Sequence, residues 1–92
     1  MLIAFDVDGT LIDCKDNPRS DVIEMFKKFQ HKGHTMIVWS GGGCNYSEMW
    51  VRRLNLEAIV VPKCCCDVDI AVDDKMASEK WGKFKTRRII QV

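Results

Sequence analysis

Short apolar runs recur along the chain, and each one predicts a buried β-strand. They span residues 2–8, 35–39, 58–61 and 68–72, and a glycine, serine, proline or aspartate follows each. Brief runs of largely apolar residues are typical of strands that are covered on both faces of a parallel sheet. A last run, residues 88–92, predicts an edge strand.

Between these runs, apolar residues recur at helical spacing. One helix is predicted to begin after Ser20 as its N-cap and to end at Gly33. A second is predicted over residues 45–54 and a third over residues 76–81. The apolar faces of the first two are Val22, Met25, Phe26 and Phe29, and Tyr46, Met49, Trp50 and Leu54. Such stripes are expected to belong to the core rather than to a ligand site.

Strands that alternate with helices predict an α/β fold, with a small parallel sheet and crossover helices. The 92 residues suffice for one small domain with a limited core, spanning residues 1–92. No linker, internal repeat or low-complexity tract divides the chain.

Polar residues end or follow each of the first four runs. They are Asp6 and Asp8, Ser40 with the glycine run that starts at Gly41, Lys63, and the pair Asp73 and Asp74. In an open α/β sheet, ligands bind at the edge formed by the carboxyl ends of the strands. Asp6 and Asp8 share a face of an extended strand, and close carboxylates repel unless a cation or a shared proton intervenes. Oxygen-rich clusters of this kind suit Mg²⁺.

The sequence DVDGTL at residues 6–11 resembles the first motif of the haloacid dehalogenase superfamily, whose members are mostly magnesium-dependent phosphohydrolases. Ser40 resembles the second motif, Lys63 the third, and Asp73 with Asp74 the paired-aspartate form of the fourth. The resemblance covers residues 1–75 and implies a three-layer α/β/α, Rossmann-like fold. Because the segments at both usual insertion points are short, we expect no cap domain.

The resemblance also implies a role for each acidic residue. Asp6 would be the nucleophile that forms an aspartyl-phosphate, and Asp8 the general acid and then the general base. Mg²⁺ would be held by the carboxylates of Asp6 and Asp73 and the backbone carbonyl of Asp8. Asp74 would not bind the ion directly but would orient its ligands or a bound water.

The remaining motif residues would bind the phosphate group. Ser40 and the amides that begin at Gly41 would contact phosphate oxygens, since glycines let the backbone approach an anion closely. Lys63 would offset negative charge on the nucleophile and the phosphoryl group. Lys75 is the competing candidate, because the span between Lys63 and Asp73 is short for this superfamily.

The composition is ordinary for a soluble globular protein, with 47% apolar and 29% charged residues. The charge is unevenly distributed: residues 1–74 carry a net charge of −4, and residues 75–92 carry +5. The basic tail is either a solvated surface or a surface for anionic substrates, including nucleic acid.

The chain has five cysteines, and Cys64, Cys65 and Cys66 are consecutive. This spacing fits neither a disulfide framework nor a C-x-x-C motif, and packed or tolerated cysteines are expected ahead of a zinc site or a redox switch. No signal segment precedes the first strand, and no apolar run approaches the length of about 18 residues that a membrane span needs. A cytoplasmic protein is expected.

These observations predict a cap-less phosphatase that acts on a phosphate monoester. The site would be open, and it would accept either a large substrate or a small one that a second copy of the chain encloses. One alternative is a phosphatase for polynucleotide ends, which the basic tail would bind. Another is a non-catalytic binding or regulatory module on the same fold.

Overall fold

The computed structural model describes residues 1–75 and 86–92. In chain order, its elements are β1 (Leu2–Asp6), α1 (Ser20–His31), β2 (Thr35–Trp39), α2 (Cys44–Arg53), β3 (Ile59–Val60), β4 (Val68–Asp73) and β5 (Thr86–Gln91). The helix predicted over residues 76–81 lies outside the described residues.

The five strands form one sheet in the order β3-β2-β1-β4-β5, and every neighbouring pair is parallel. β1 is central: Phe5 pairs with Val38 of β2 on one side and with Val72 of β4 on the other. All strands therefore end at the same edge of the sheet. The predicted α/β fold with a small parallel sheet is confirmed.

Both described helices pack on one face of the sheet. Alternate strand residues point to this face, and their core cluster includes Phe5 from β1, Phe26 from α1 and Trp50 from α2. The rings of Phe5 and Phe26 lie 5.1 Å apart in an edge-to-face arrangement. The opposite face has a smaller apolar cluster around Ala4 and Trp39. The β3–β4 connection contributes to this second cluster.

The first predicted strand is too long, because the chain turns directly after Asp6. The amides of three successive residues, from Thr10 to Ile12, all donate to the carbonyl oxygen of Val7, at 3.0–3.2 Å. The turn leaves Asp8 outside the strand, exposed beside the sheet edge. Asp6 therefore lies at the end of β1, whereas Asp8 lies in the loop that follows.

The start of α1 also differs from the prediction. Ser20 is the first helical residue, and Arg19 occupies the N-cap position without a side-chain capping bond. Arg19 is held there by two other bonds, since its amide donates to Leu11 and its guanidinium to the carbonyl of Gly9, at 2.9 and 2.8 Å. The loop after β1 is thereby tied to the start of the helix. The predicted end at Gly33 agrees with its φ of 88° just beyond the helix.

Candidate active site

Two carboxylates and one ammonium group meet at the carboxyl edge of the sheet. Asp6 ends β1 and Asp73 ends β4, and their residues are only 5% and 2% exposed. Lys63, from the β3–β4 connection, lies between them: its Nζ is 3.3 Å from Asp6 Oδ1 and 2.9 Å from Asp73 Oδ2. Three residues that are far apart in sequence therefore form one buried ionic cluster.

All three ionisable groups of this cluster have shifted pKa values. Burial raises the pKa of Asp6 to about 6, and the neighbouring charge of Asp73 adds to this against the opposing effect of Lys63. Burial likewise raises the pKa of Asp73, as does its contact with Asp74. Burial lowers the pKa of Lys63, but its interactions with the two carboxylates outweigh this and raise it overall. One ammonium does not compensate the buried carboxylates fully.

Asp74 adds a third carboxylate to the cluster. One oxygen each from Asp6, Asp73 and Asp74 lies within 4.8 Å of the other two. Three carboxylate oxygens at this spacing can coordinate one hard divalent cation, and the surplus charge favours such an ion. Among the described residues, this is the group of side chains whose geometry can hold a metal ion.

The position of Asp74 depends on Gly9. Gly9 has a φ of 76°, which favours glycine, and a Cβ added there would overlap the carboxylate of Asp74. The sequence-based expectation put Asp74 outside the metal ligands. In the structure its carboxylate is close enough to be a direct ligand, and it packs against the loop that carries Asp8.

Ser40 follows β2 and is buried beside the same edge. Its Oγ accepts a hydrogen bond from the amide of Gly42 at 3.0 Å, and a hydroxyl that accepts such a bond can still donate its own proton. Helix α2 begins at Cys44, two residues after Gly42, and its N-cap residue Gly43 provides no side-chain capping bond. The exposed Gly41 lies between these groups, where amides and a hydroxyl can bind an anion.

Tyr46 is a site residue that the sequence reasoning missed. It lies in the first turn of α2, and its hydroxyl donates to Asp8 Oδ1 at 2.6 Å. This hydrogen bond is the largest of the effects that raise the pKa of the phenol. The helical stripe correctly indicated that the ring packs against the core. Its proximity to the glycine run was the signal that its hydroxyl would reach the sheet edge.

The cluster opens into a pocket of about 510 Å³. Asp8, Gly41 and Lys75 also line it, and the loop before α1 contributes exposed Cys14 and Asp16 at its margin. Within the described residues, the segments at 7–19, 40–43 and 61–67 are too short to hold a cap domain. Lys75 is exposed, and its backbone amide donates to Asp73 Oδ1 at 3.1 Å.

The five cysteines, all described, are free thiols and form no metal-binding cluster. Cys64 follows Lys63 with a φ of 62°, and burial raises the pKa of its thiol. A raised pKa disfavours the nucleophilic thiolate. That the cysteines are merely packed or tolerated stays a prediction.

A model of the haloacid dehalogenase-like hydrolase family matches residues 3–76. The chain belongs to this family, and the recognition made from its four motifs is confirmed. No curated protein and no solved structure gave a significant match. Neither described helix has the length and apolar character that crossing a bilayer requires.

Proposed function

We propose that the protein is a Mg²⁺-dependent phosphatase that hydrolyses a phosphate monoester through a phosphorylated Asp6. The observation that carries this proposal is the cluster of Asp6, Asp73 and Asp74, with Lys63 beside it, at the base of an open pocket. A hydrolase family is consistent with it. We further propose that the chain is a single domain of this kind.

In the first step, a carboxylate oxygen of Asp6 attacks the phosphorus and forms a P–O bond. The bond from phosphorus to the ester oxygen breaks, and Asp8 gives its proton to the departing oxygen. In the second step, water attacks the aspartyl-phosphate, and Asp8 takes a proton from that water. Inorganic phosphate leaves and the carboxylate of Asp6 is restored. Asp8 suits both transfers because it is exposed to the pocket.

The carboxylates of Asp6 and Asp73 and the backbone carbonyl of Asp8 would hold Mg²⁺, and Asp74 is close enough to bind it directly or through water. Bound Mg²⁺ supplies positive charge that offsets the repulsion between the carboxylate nucleophile and the phosphate dianion. Burial is the main cause of the raised pKa values of Asp6 and Asp73, and the charge of Asp73 and the contact with Asp74 add to it. These values support the assignment, because a cation would stabilise the ionised carboxylates that burial disfavours.

The phosphate oxygens would be bound by groups that already face the pocket. Ser40 has a hydroxyl proton to donate, and the amide of Gly41 and the start of α2 add further donors. Lys63 would neutralise charge on the nucleophile and on the phosphoryl group during transfer, and its contacts with Asp6 and Asp73 support it over Lys75.

The other expected partners stay predictions. Of the basic tail, Arg87 and Arg88 are described and exposed, but Arg87 already lies 3.8 Å from Asp69, and this carboxylate reduces its attraction for nucleic acid. No observation in the described residues favours polynucleotide ends over other monoesters. A second copy that covers the pocket, and a cytoplasmic location, are likewise part of the proposal.

The proposal is tested by phosphate release from p-nitrophenyl phosphate, with Mg²⁺ and with a chelator. We expect turnover that requires Mg²⁺ and that falls by at least about a thousandfold in Asp6→Asn. Glu57→Gln is the matched control, because it removes an exposed carboxylate next to the amino end of β3. Its activity should equal that of the wild type.

If the wild type and Asp6→Asn are equally inactive although both fold and bind Mg²⁺, the generic phosphatase is excluded. Turnover that persists with chelator, or that survives Asp6→Asn, would reject the proposed nucleophile and metal.

A further inference from the structure

The hydroxyl of Tyr46 makes a short contact to one oxygen of Asp8. The distance from Tyr46 Oη to Asp8 Oδ1 is 2.6 Å, the usual length of a strong hydrogen bond to a carboxylate. Asp8 itself is exposed and lies in the turn after β1, so its carboxyl would otherwise be free to change rotamer. The contact links the loop after β1 to the start of α2.

The ring of Tyr46 is held in place independently of this bond. It packs against the core cluster through one side, and a Cβ added at Gly42 would lie 3.0 Å from its Cδ2 atom. Gly42 thus gives the ring room to lie close to the backbone, and the amide of Gly42 is itself bonded to Ser40. The phenol ring therefore lies between the core and the glycine turn at residues 41–43.

We propose that Tyr46 is a positioning residue for Asp8: it engages Oδ1 and thereby presents Oδ2 to the oxygen that leaves the phosphorus. This inference rests on the proposed phosphatase function. A carboxyl group that is already oriented avoids the entropic cost of ordering it during the reaction. Tyr46 acts through Asp8 and need not touch the substrate.

The consequence depends on the leaving group. A nitrophenolate is stable enough to leave without a proton, whereas an alkoxide or an unsubstituted phenolate benefits from protonation as the P–O bond breaks. Loss of the Tyr46 hydroxyl should therefore slow esters of weakly acidic alcohols most. A residue that only supported the fold would slow all esters by a similar factor.

The test measures kcat/KM for a series of aryl phosphates and one simple alkyl phosphate, in Tyr46→Phe and in the wild type. This ratio reports the steps up to loss of the alcohol, where Asp8 acts as the acid. We expect Tyr46→Phe to lower kcat/KM less than about threefold for p-nitrophenyl phosphate and about 10- to 100-fold for the alkyl ester. The dependence on leaving-group acidity becomes steeper.

Two further variants separate positioning from structure. Met49 was expected in the core but is exposed, so Met49→Ala changes the same helix without touching the site and should leave the dependence on leaving-group acidity unchanged. Asp8→Asn should steepen it by itself, and adding Tyr46→Phe to Asp8→Asn should change nothing more, since both act through one group. Circular dichroism and Mg²⁺ titration establish that Tyr46→Phe folds and binds the ion.

A uniform loss across the series, or full additivity with Asp8→Asn, overturns the role of Tyr46 while leaving the phosphatase intact. A wild type without Mg²⁺-dependent turnover of any ester overturns the proposed function and this inference together. The role of Tyr46 is supported if Tyr46→Phe makes kcat/KM depend more steeply on leaving-group acidity in the wild-type background and has no such effect in the Asp8→Asn background.

Discussion

At the scale of single residues, the surroundings of Asp6 disfavour its ionised form when no metal is bound. It is 5% exposed, it lies near the buried Asp73, and the ammonium of Lys63 is shared between the two. Burial and the charge of Asp73 raise its pKa to about 6, so its carboxyl ionises less readily than it would in water. A nucleophile must be ionised, so a bound cation would serve both charge balance and reactivity.

The raised pKa of Asp6 makes folding stability depend on pH. A carboxyl whose pKa is raised on folding binds its proton more tightly in the folded state, so folding stability falls as the pH rises through the interval between the two pKa values. For Asp6 the interval runs from 3.8 to about 6. Asp6→Asn removes this loss. In chelator, the free energy of unfolding of Asp6→Asn relative to that of the wild type should therefore be about 2 kcal/mol higher at pH 7.5 than at pH 4.5.

Urea unfolding of both proteins at the two pH values measures this difference. Saturating Mg²⁺ at pH 7.5 should restore much of the stability of the wild type, because the ion binds the folded state. A gap between the proteins that is the same at both pH values would show that Asp6 ionises without penalty in the metal-free fold.

Residues that end or directly follow strands were predictable from the apolar pattern, and Asp8 and Lys63 from the family motifs, but the role of Tyr46 and the approach of Asp74 to Gly9 were not. Asp6, Ser40 and Asp73 each follow an apolar run, so the parallel sheet alone brings them to one edge. Tyr46 belongs to an amphipathic stripe, and periodicity reports the packing of its ring but not the partner of its hydroxyl. The approach of Asp74 to Gly9 depends on loop conformation, which has no periodic signal.

At the scale of elements, the connection between β3 and β4 decides which lysine serves the site. β3 is an edge strand and β4 lies beyond β2 and β1, so residues 61–67 must cross two strands. The crossing is short, and Cys64 adopts a left-handed φ of 62° directly after Lys63. Lys63 is thereby held above the ends of β1 and β4. Strand positions were predictable to within about two residues, but this path was not.

The two lysines can be separated by matched substitutions. Lys63→Met should lower kcat by about 100- to 1000-fold, because the charge beside Asp6 and Asp73 is lost. Lys75→Met should change kcat only slightly, since its described contact to Asp73 is made by the backbone amide. Steady-state kinetics with p-nitrophenyl phosphate measures both, and a larger loss in Lys75→Met would reverse the assignment.

At the scale of the molecule, the parallel sheet collects the reactive groups at one edge and leaves them accessible. Within the described residues the pocket is bounded by short loops, so the proposed enzyme would select its substrate through the pocket margin or another chain. Fold class and the acidic edge follow from hydrophobic pattern and motif together. The substrate does not, because the residues that would recognise an alcohol group have no fixed motif.

Direct detection of a phosphorylated Asp6 is the measurement to make first. The protein is mixed with p-nitrophenyl phosphate and Mg²⁺, quenched in acid during turnover and digested, and the peptide that contains Asp6 is analysed by mass spectrometry. We expect an acid-stable, hydroxylamine-sensitive phosphoryl group on Asp6 that is absent with chelator and absent from Asp6→Asn. Turnover with no phosphorylated Asp6, even when rapid quenching captures the first turnover, would contradict nucleophilic catalysis by this residue.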